Sequence, residues 1–152
     1  MKGVIKAVTD AGLPPELSHL YTVVLPKGVE VCFDQSNSAQ GGSCTTSNAE
    51  AGYGFCAYHS SGLGTSYPQL SYAVLPYPAV DSPTGISCNV GHESPSKNPD
   101  LDVSISAYSH ELAEAVTDPT GDGWHDAEGN ENGDLCSSAF GALSGKAGKR
   151  YN

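Results

Sequence analysis

Apolar positions recur along this chain at two spacings, and the change from one to the other divides it into elements. Val4, Ile5 and Val8 fit one face of a short helix over residues 4–11, and Gly12-Leu13-Pro14-Pro15 stops it. Leu20-Tyr21-Thr22-Val23-Val24-Leu25 is β-branched and aromatic and predicts a strand that ends at Pro26-Lys27-Gly28. Val29-Glu30-Val31-Cys32-Phe33 alternates as a half-buried strand does, and residues 34–52 hold almost nothing apolar and read as a long loop. Tyr53 to His59 and Leu70 to Pro76 predict a third and a fourth strand. Residues 80–98 are turn-rich and carry Cys88, His92 and Glu93 without a period.

The clearest pattern follows. Leu101, Ile105, Tyr108, Leu112 and Ala115 recur at alternating steps of four and three, which predicts a helix with that stripe buried. Asn98-Pro99 stands ahead of it as a start and Asp118-Pro119 closes it. Glu111 and Glu114 fall off the stripe, while His110 and Glu114, four residues apart, share a face. After Cys136 the chain is Gly, Ser, Ala and Lys, and residues 137–152 read as a mobile tail. Strands followed by a polar-faced helix give an α+β fold: a small mixed or antiparallel sheet packed on one long active-site helix, loop-rich. At 152 residues, one domain over 1–152 is the expectation.

Composition sharpens the picture. The chain has 18 Gly and 10 Pro, with 16% charged and 38% hydrophobic residues, a balance that argues against a helical bundle and against a disordered tail. A net charge of −10 with seven Lys and Arg excludes the electrostatic footprint of a nucleic-acid or anionic-membrane binder and favours a cation as partner. No apolar run is long enough to span a bilayer. Cys32, Cys44, Cys56, Cys88 and Cys136 lack the spacing of a zinc ribbon and read as the scattered cysteines of a secreted, disulfide-bonded domain. Their odd number leaves one thiol free or paired with a segment beyond this sequence. Met1 to Lys6 lacks the hydrophobic core of a signal peptide, so for a secreted protein the export signal is expected to have been removed or to lie upstream.

The candidate chemistry sits on the helix. His110-Glu111-Leu112-Ala113-Glu114 places an imidazole and a carboxylate one turn apart, with a second carboxylate beside the imidazole. It resembles the His-Glu-x-x-His helix of zinc peptidases with the second His replaced by Glu, and implies a zincin-like site. His110 and Glu114 would be metal ligands and Glu111 the general base. Among candidates for a third ligand, Glu131 ranks first and Asp118, one turn further along the same face, second; His59 and His125 are the others. Carboxylate ligands make such a site less zinc-selective. The plainer alternative is that two Glu on a helix form a solvated face.

The loop from Asp118 to Asp134 alternates Asp, Asn and Gly, as calcium-binding loops do, although its spacing is not that of an EF-hand. Asx and Gly turns without an ion account for it equally well. Trp124, the single Trp, is expected to anchor this loop to the core. Ser109 and His110 are adjacent on the helix and diverge, which disfavours a catalytic triad. No Gly-rich phosphate loop is present.

Several blocks occur in a telling order: Leu13-Pro14, Tyr21 to Leu25, Phe55-Cys56-Ala57-Tyr58-His59, Tyr72 to Pro78, Ser109 to Pro119, Gly123-Trp124, and Glu131-Asn132-Gly133-Asp134-Leu135-Cys136. This series resembles the EXORDIUM, or phosphate-induced protein, family, especially its microbial members. The resemblance implies a secreted or cell-wall protein. Plant members are associated with growth and stress responses, and many lack the His-Glu pair, which suits a non-catalytic role. This chain keeps His110, Glu111 and Glu114. It is shorter at the N-terminus than typical members, which implies either the C-terminal part of a longer secreted precursor or a compact relative.

The leading expectation is therefore an extracellular metal-dependent hydrolase, a zinc peptidase acting on a peptide or protein. His110, Glu114 and Glu131 would hold the metal, with Asp118 in reserve, and Glu111 would activate water. The rival is a non-catalytic secreted binding or signalling domain in which the same residues hold a structural zinc or calcium ion.

Overall fold

The computed structural model describes residues 2–29, 31, 55–62, 69–78, 94–137, 139, 142, 144–146 and 149–151. Helix α1 runs Lys2–Asp10 and ends in a glycine cap. Leu13 N–H donates to the Val8 carbonyl at 3.0 Å and Gly12 N–H to the Thr9 carbonyl at 3.0 Å, with Gly12 at φ 67°. That double bond satisfies the last carbonyls of the helix and needs the left-handed backbone that glycine adopts without strain.

Strands β1 (Leu20–Val24), β2 (Tyr58–Ser61) and β3 (Ser71–Leu75) form a small mixed sheet in the order β1-β3-β2. β2 lies antiparallel to β3 with Tyr58 opposite Val74, His59 opposite Ala73, Ser60 opposite Tyr72 and Ser61 opposite Ser71. Leu25 N–H donates to Leu75 O at 2.9 Å, and Gly62 N–H to Leu70 O at 2.8 Å. The central strand is buried throughout, as its Tyr-Ala-Val-Leu run requires. Helix α2 runs Pro99–Thr117 and a short 3-10 turn Asp134–Cys136. Strands β4 (Ser144–Lys146) and β5 (Lys149–Tyr151) form a two-stranded antiparallel pair inside the segment expected to be a mobile tail. The fold is α+β.

The chain divides into two compact units. The first holds Met1–Val23, Tyr58–Val74 and Tyr108–Ser137; the second holds Val24–Ala57, Leu75–Ala107 and Ser138–Asn152. Val8, Leu70, Tyr72, Ala73, Val74 and Ala115 are the buried apolar residues described in the first unit. The Tyr72 ring meets that of Tyr58 edge-on at 6.2 Å. The expected strand at residues 29–33 falls mostly outside the described residues. The third strand begins at Tyr58, five residues later than its aromatic run suggests.

α2 starts and stops as its sequence indicates, yet its orientation reverses the expectation. The Asn98 side chain accepts the Leu101 N–H at 3.3 Å, capping the helix with Pro99 as its first residue. Leu101, Ile105, Tyr108 and Leu112 are exposed, Ile105 by 56%, whereas Glu111 and Glu114 are each only 4% exposed. Of the expected stripe only Ala115 is buried. The physical reason is that the polar face has partners elsewhere in the first unit, and buried carboxylates hold a helix turned toward the groups that satisfy them. No helix among the described residues is long and apolar enough to cross a membrane.

Candidate metal centre

Three segments of the first unit converge on Glu114: the part of α2 from Tyr108 onward, edge strand β2, and the loop carrying Glu131 and Asp134 into the 3-10 turn. One helical turn sets His110 Nε2 3.0 Å from Glu114 Oε1. From β2, His59 Nε2 lies 3.7 Å from Glu114 Oε2 and 3.2 Å from both carboxylate oxygens of Glu131. From the loop, Asp134 Oδ1 lies 3.6 Å from His110 Nε2. Its Oδ2 accepts the Glu131 N–H at 3.1 Å, which ties the two loop acids together. Asn132 Nδ2 donates to the Ala113 carbonyl at 3.4 Å and holds the loop to the helix.

Gly133 makes this approach possible. A Cβ at that position would stand 2.8 Å from Glu114 Oε1 and 3.0 Å from His110 Nδ1, so any other residue would push those two side chains aside.

The ligand atoms form three groups whose members all lie within 4.8 Å of one another: His59/Glu114/Glu131, His110/Glu114/Asp134 and Asp118/His125/Glu131. These groups are close enough to hold a metal ion. Two donors each about 2.0–2.1 Å from a tetrahedral ion lie about 3.3 Å apart, near the 3.0–3.7 Å separations found here. Of the five buried side-chain polar atoms without a hydrogen-bond partner among the described residues, four belong to residues of β2, the end of α2 and the acidic loop: His59 Nδ1, Glu114 Oε1, Asp118 Oδ2 and Asn132 Oδ1; the fifth is Ser71 Oγ on β3. Glu114 Oε1 is thus 3.0 Å from an imidazole nitrogen without hydrogen-bond alignment, a geometry that suits two lone pairs converging on a cation.

Electrostatics point the same way. Burial, then the Glu114, Glu131 and Asp134 carboxylates, push Glu111 up to about 8, although the His59 backbone N–H donates to it. Burial, then Glu131 and Asp134, push Glu114 up to about 7. Four carboxylates share one pocket with no Lys or Arg paired to them among the described residues. A divalent cation offsets such repulsion directly.

The sequence-derived trio of His110, Glu114 and Glu131 is not one group of mutually close atoms. Glu131 stands with His59, and Asp134 takes the place beside His110. His59 stood among the unranked candidates, arriving from a distant strand, and Asp134 carried no separate signal beyond its place after Gly133. Asp118 chiefly ends the helix: its Oδ1 accepts the N–H groups of Gly121 at 2.6 Å and Gly123 at 2.8 Å, and its Oδ2 faces His125 Nε2 at 3.2 Å. Burial raises its pKa, but the Gly123, Gly121 and Thr120 N–H groups and His125 outweigh this and leave it lowered.

Within the acidic loop, Asp122 and Asp126 are satisfied by neighbours in the loop. Asp126 Oδ1 accepts the N–H groups of Glu128 at 3.0 Å and Asn130 at 2.8 Å, and Thr120 donates to Asp122. These are Asx-type turns, and neither Asp122 nor Asp126 joins a metal-holding group among the described residues. Trp124 attaches the loop through its backbone, donating to Thr117 O at 3.3 Å, while its side chain is 46% exposed rather than sunk into the core. Cys56 is disulfide-bonded; the side chains of the other four cysteines lie outside the described residues.

No family model, no curated protein and no solved structure matches the chain.

Proposed function

We propose that the protein is an extracellular zinc-dependent peptidase in which His110, Glu114 and Asp134 hold the catalytic ion and Glu111 is the general base. The observation that carries this reading is the buried Glu114 carboxylate, whose Oε1 has no hydrogen-bond partner and sits 3.0 Å from His110 Nε2. A bound zinc ion supplies Lewis-acid polarisation of a peptide carbonyl and makes water a usable nucleophile near neutral pH. Glu111 takes the proton from the attacking water and delivers it to the departing amine nitrogen. Burial and the neighbouring carboxylates make Glu111 a stronger base than an exposed glutamate. His110, 26% exposed at its side chain, and Asp134, 48% exposed, leave the solvent side of the centre open to a substrate. The Cys56 disulfide and the resemblance of residues 109–119 to a secreted family support an extracellular setting.

Cleavage of an unfolded protein substrate by the zinc-loaded chain tests the reading. Glu111→Gln should keep its zinc and lose about a hundredfold or more in rate, as removal of a general base does. Wild-type protein that holds zinc but cleaves no faster than Glu111→Gln contradicts the peptidase reading and favours a secreted binding module with a structural ion.

A further inference from the structure

We propose that the centre binds two divalent ions bridged by Glu114, one held by His110, Glu114 and Asp134 and the other by His59, Glu114 and Glu131. The inference extends the metal reading above and depends on it.

The two histidines face opposite oxygens of one carboxylate. His110 Nε2 stands 3.0 Å from Glu114 Oε1, and His59 Nε2 stands 3.7 Å from Oε2. Among the described residues, no group of ligand atoms lying within 4.8 Å of one another contains both histidines. Each histidine is instead grouped with Glu114 and one further carboxylate of its own. Each histidine has its own carboxylate besides Glu114: Asp134 at 3.6 Å from His110 and Glu131 at 3.2 Å from His59. Asp134 Oδ2 accepts the Glu131 N–H, and its other oxygen, Oδ1, is the one near His110.

Glu114 is the element a bridge requires. Its side chain is 5% exposed, its Oε1 is unpartnered, and Gly133 brings the loop over it without a Cβ. A carboxylate that uses both oxygens holds two ions at the roughly 3.5–4 Å separation of two-metal hydrolases. Glu111 then faces a pair of ions, and the excess of carboxylates over imidazoles in the pocket is explained by two divalent charges rather than one.

Zinc titration of the metal-depleted full chain against a chromophoric chelator is the test. Two equivalents are expected for wild type, one for His59→Ala and one for Asp134→Ala. A single equivalent in wild type overturns the second ion while leaving the peptidase reading standing, and none overturns both. Two equivalents that survive His59→Ala but fall to one in His125→Ala place the second ion with Asp118 and overturn the Glu114 bridge. Cobalt(II) loading of the unaltered chain gives an independent readout. Through a Glu114 bridge the paramagnetic resonance signal per ion is expected to drop between one and two equivalents, and a signal that merely doubles overturns the bridge.

Discussion

At Gly133 a Cβ would meet the ends of side chains and at Gly123 it would meet backbone, so the two failures should differ. At Gly133 a Cβ would press on Glu114 Oε1 and His110 Nδ1, so Gly133→Ala displaces the ligands themselves. Zinc affinity should fall about tenfold or more, as it does when ligand-positioning groups are disturbed, with circular dichroism unchanged. A variant that binds zinc like wild type contradicts the placement of the loop over the pair. At Gly123 the Cβ would lie 2.4 Å from Thr117 O and 2.7 Å from Asp118 Cα, against backbone that cannot turn aside. Gly123→Ala should therefore cost about 2 kcal/mol or more of stability in urea denaturation, through the loop that Asp118 caps. His110 and Glu114 were legible in sequence because a four-residue spacing on a helix fixes their proximity. His59 was named as a candidate but could not be ranked above Glu131, and Asp134 was not singled out, because only tertiary folding brings β2 and the loop to the same carboxylate.

At the scale of elements, α2 shows what periodicity contains and what it omits. Leu101, Ile105, Tyr108, Leu112 and Ala115 do share a face, and the bounds Pro99–Thr117 lie within a residue of those drawn from Asp100 and Asp118. Which face turns inward was decided by the partners of Glu111 and Glu114, which lie far away in sequence. Ile105→Gln should change stability by no more than about 0.5 kcal/mol, as exposed substitutions do, and a loss of several kcal/mol contradicts this orientation. β1 was legible from its β-branched run and β3 from its apolar Tyr-Ala-Val-Leu run closed by Pro76. β2 takes in Ser60 and Ser61 because Tyr72 and Ser71 pair with them, and serines carry no strand signal of their own.

At the scale of the whole molecule, the buried acids make stability depend on pH and on the ion together. Glu111 and Glu114 rise from an ordinary 4.5 to about 8 and about 7 in the folded chain. The folded state therefore binds more protons than the unfolded state between about 4.5 and 8, and stability falls as pH rises through that window. In chelator, the melting temperature should be lower at pH 8 than at pH 5, and Glu111→Gln should flatten the slope. Saturating zinc should raise the pH 8 value most, since metal binding displaces those protons. A metal-free protein that is more stable at pH 8 than at pH 5 contradicts the buried-acid centre.

The most direct measurement is the metal content of the protein purified without chelator, compared with His110→Ala purified in parallel. The wild type should carry stoichiometric zinc, and the variant should lose an equivalent while keeping its helical signal. Wild-type protein without a stoichiometric transition metal, or with a content that His110→Ala leaves unchanged, contradicts the metal centre built around Glu114.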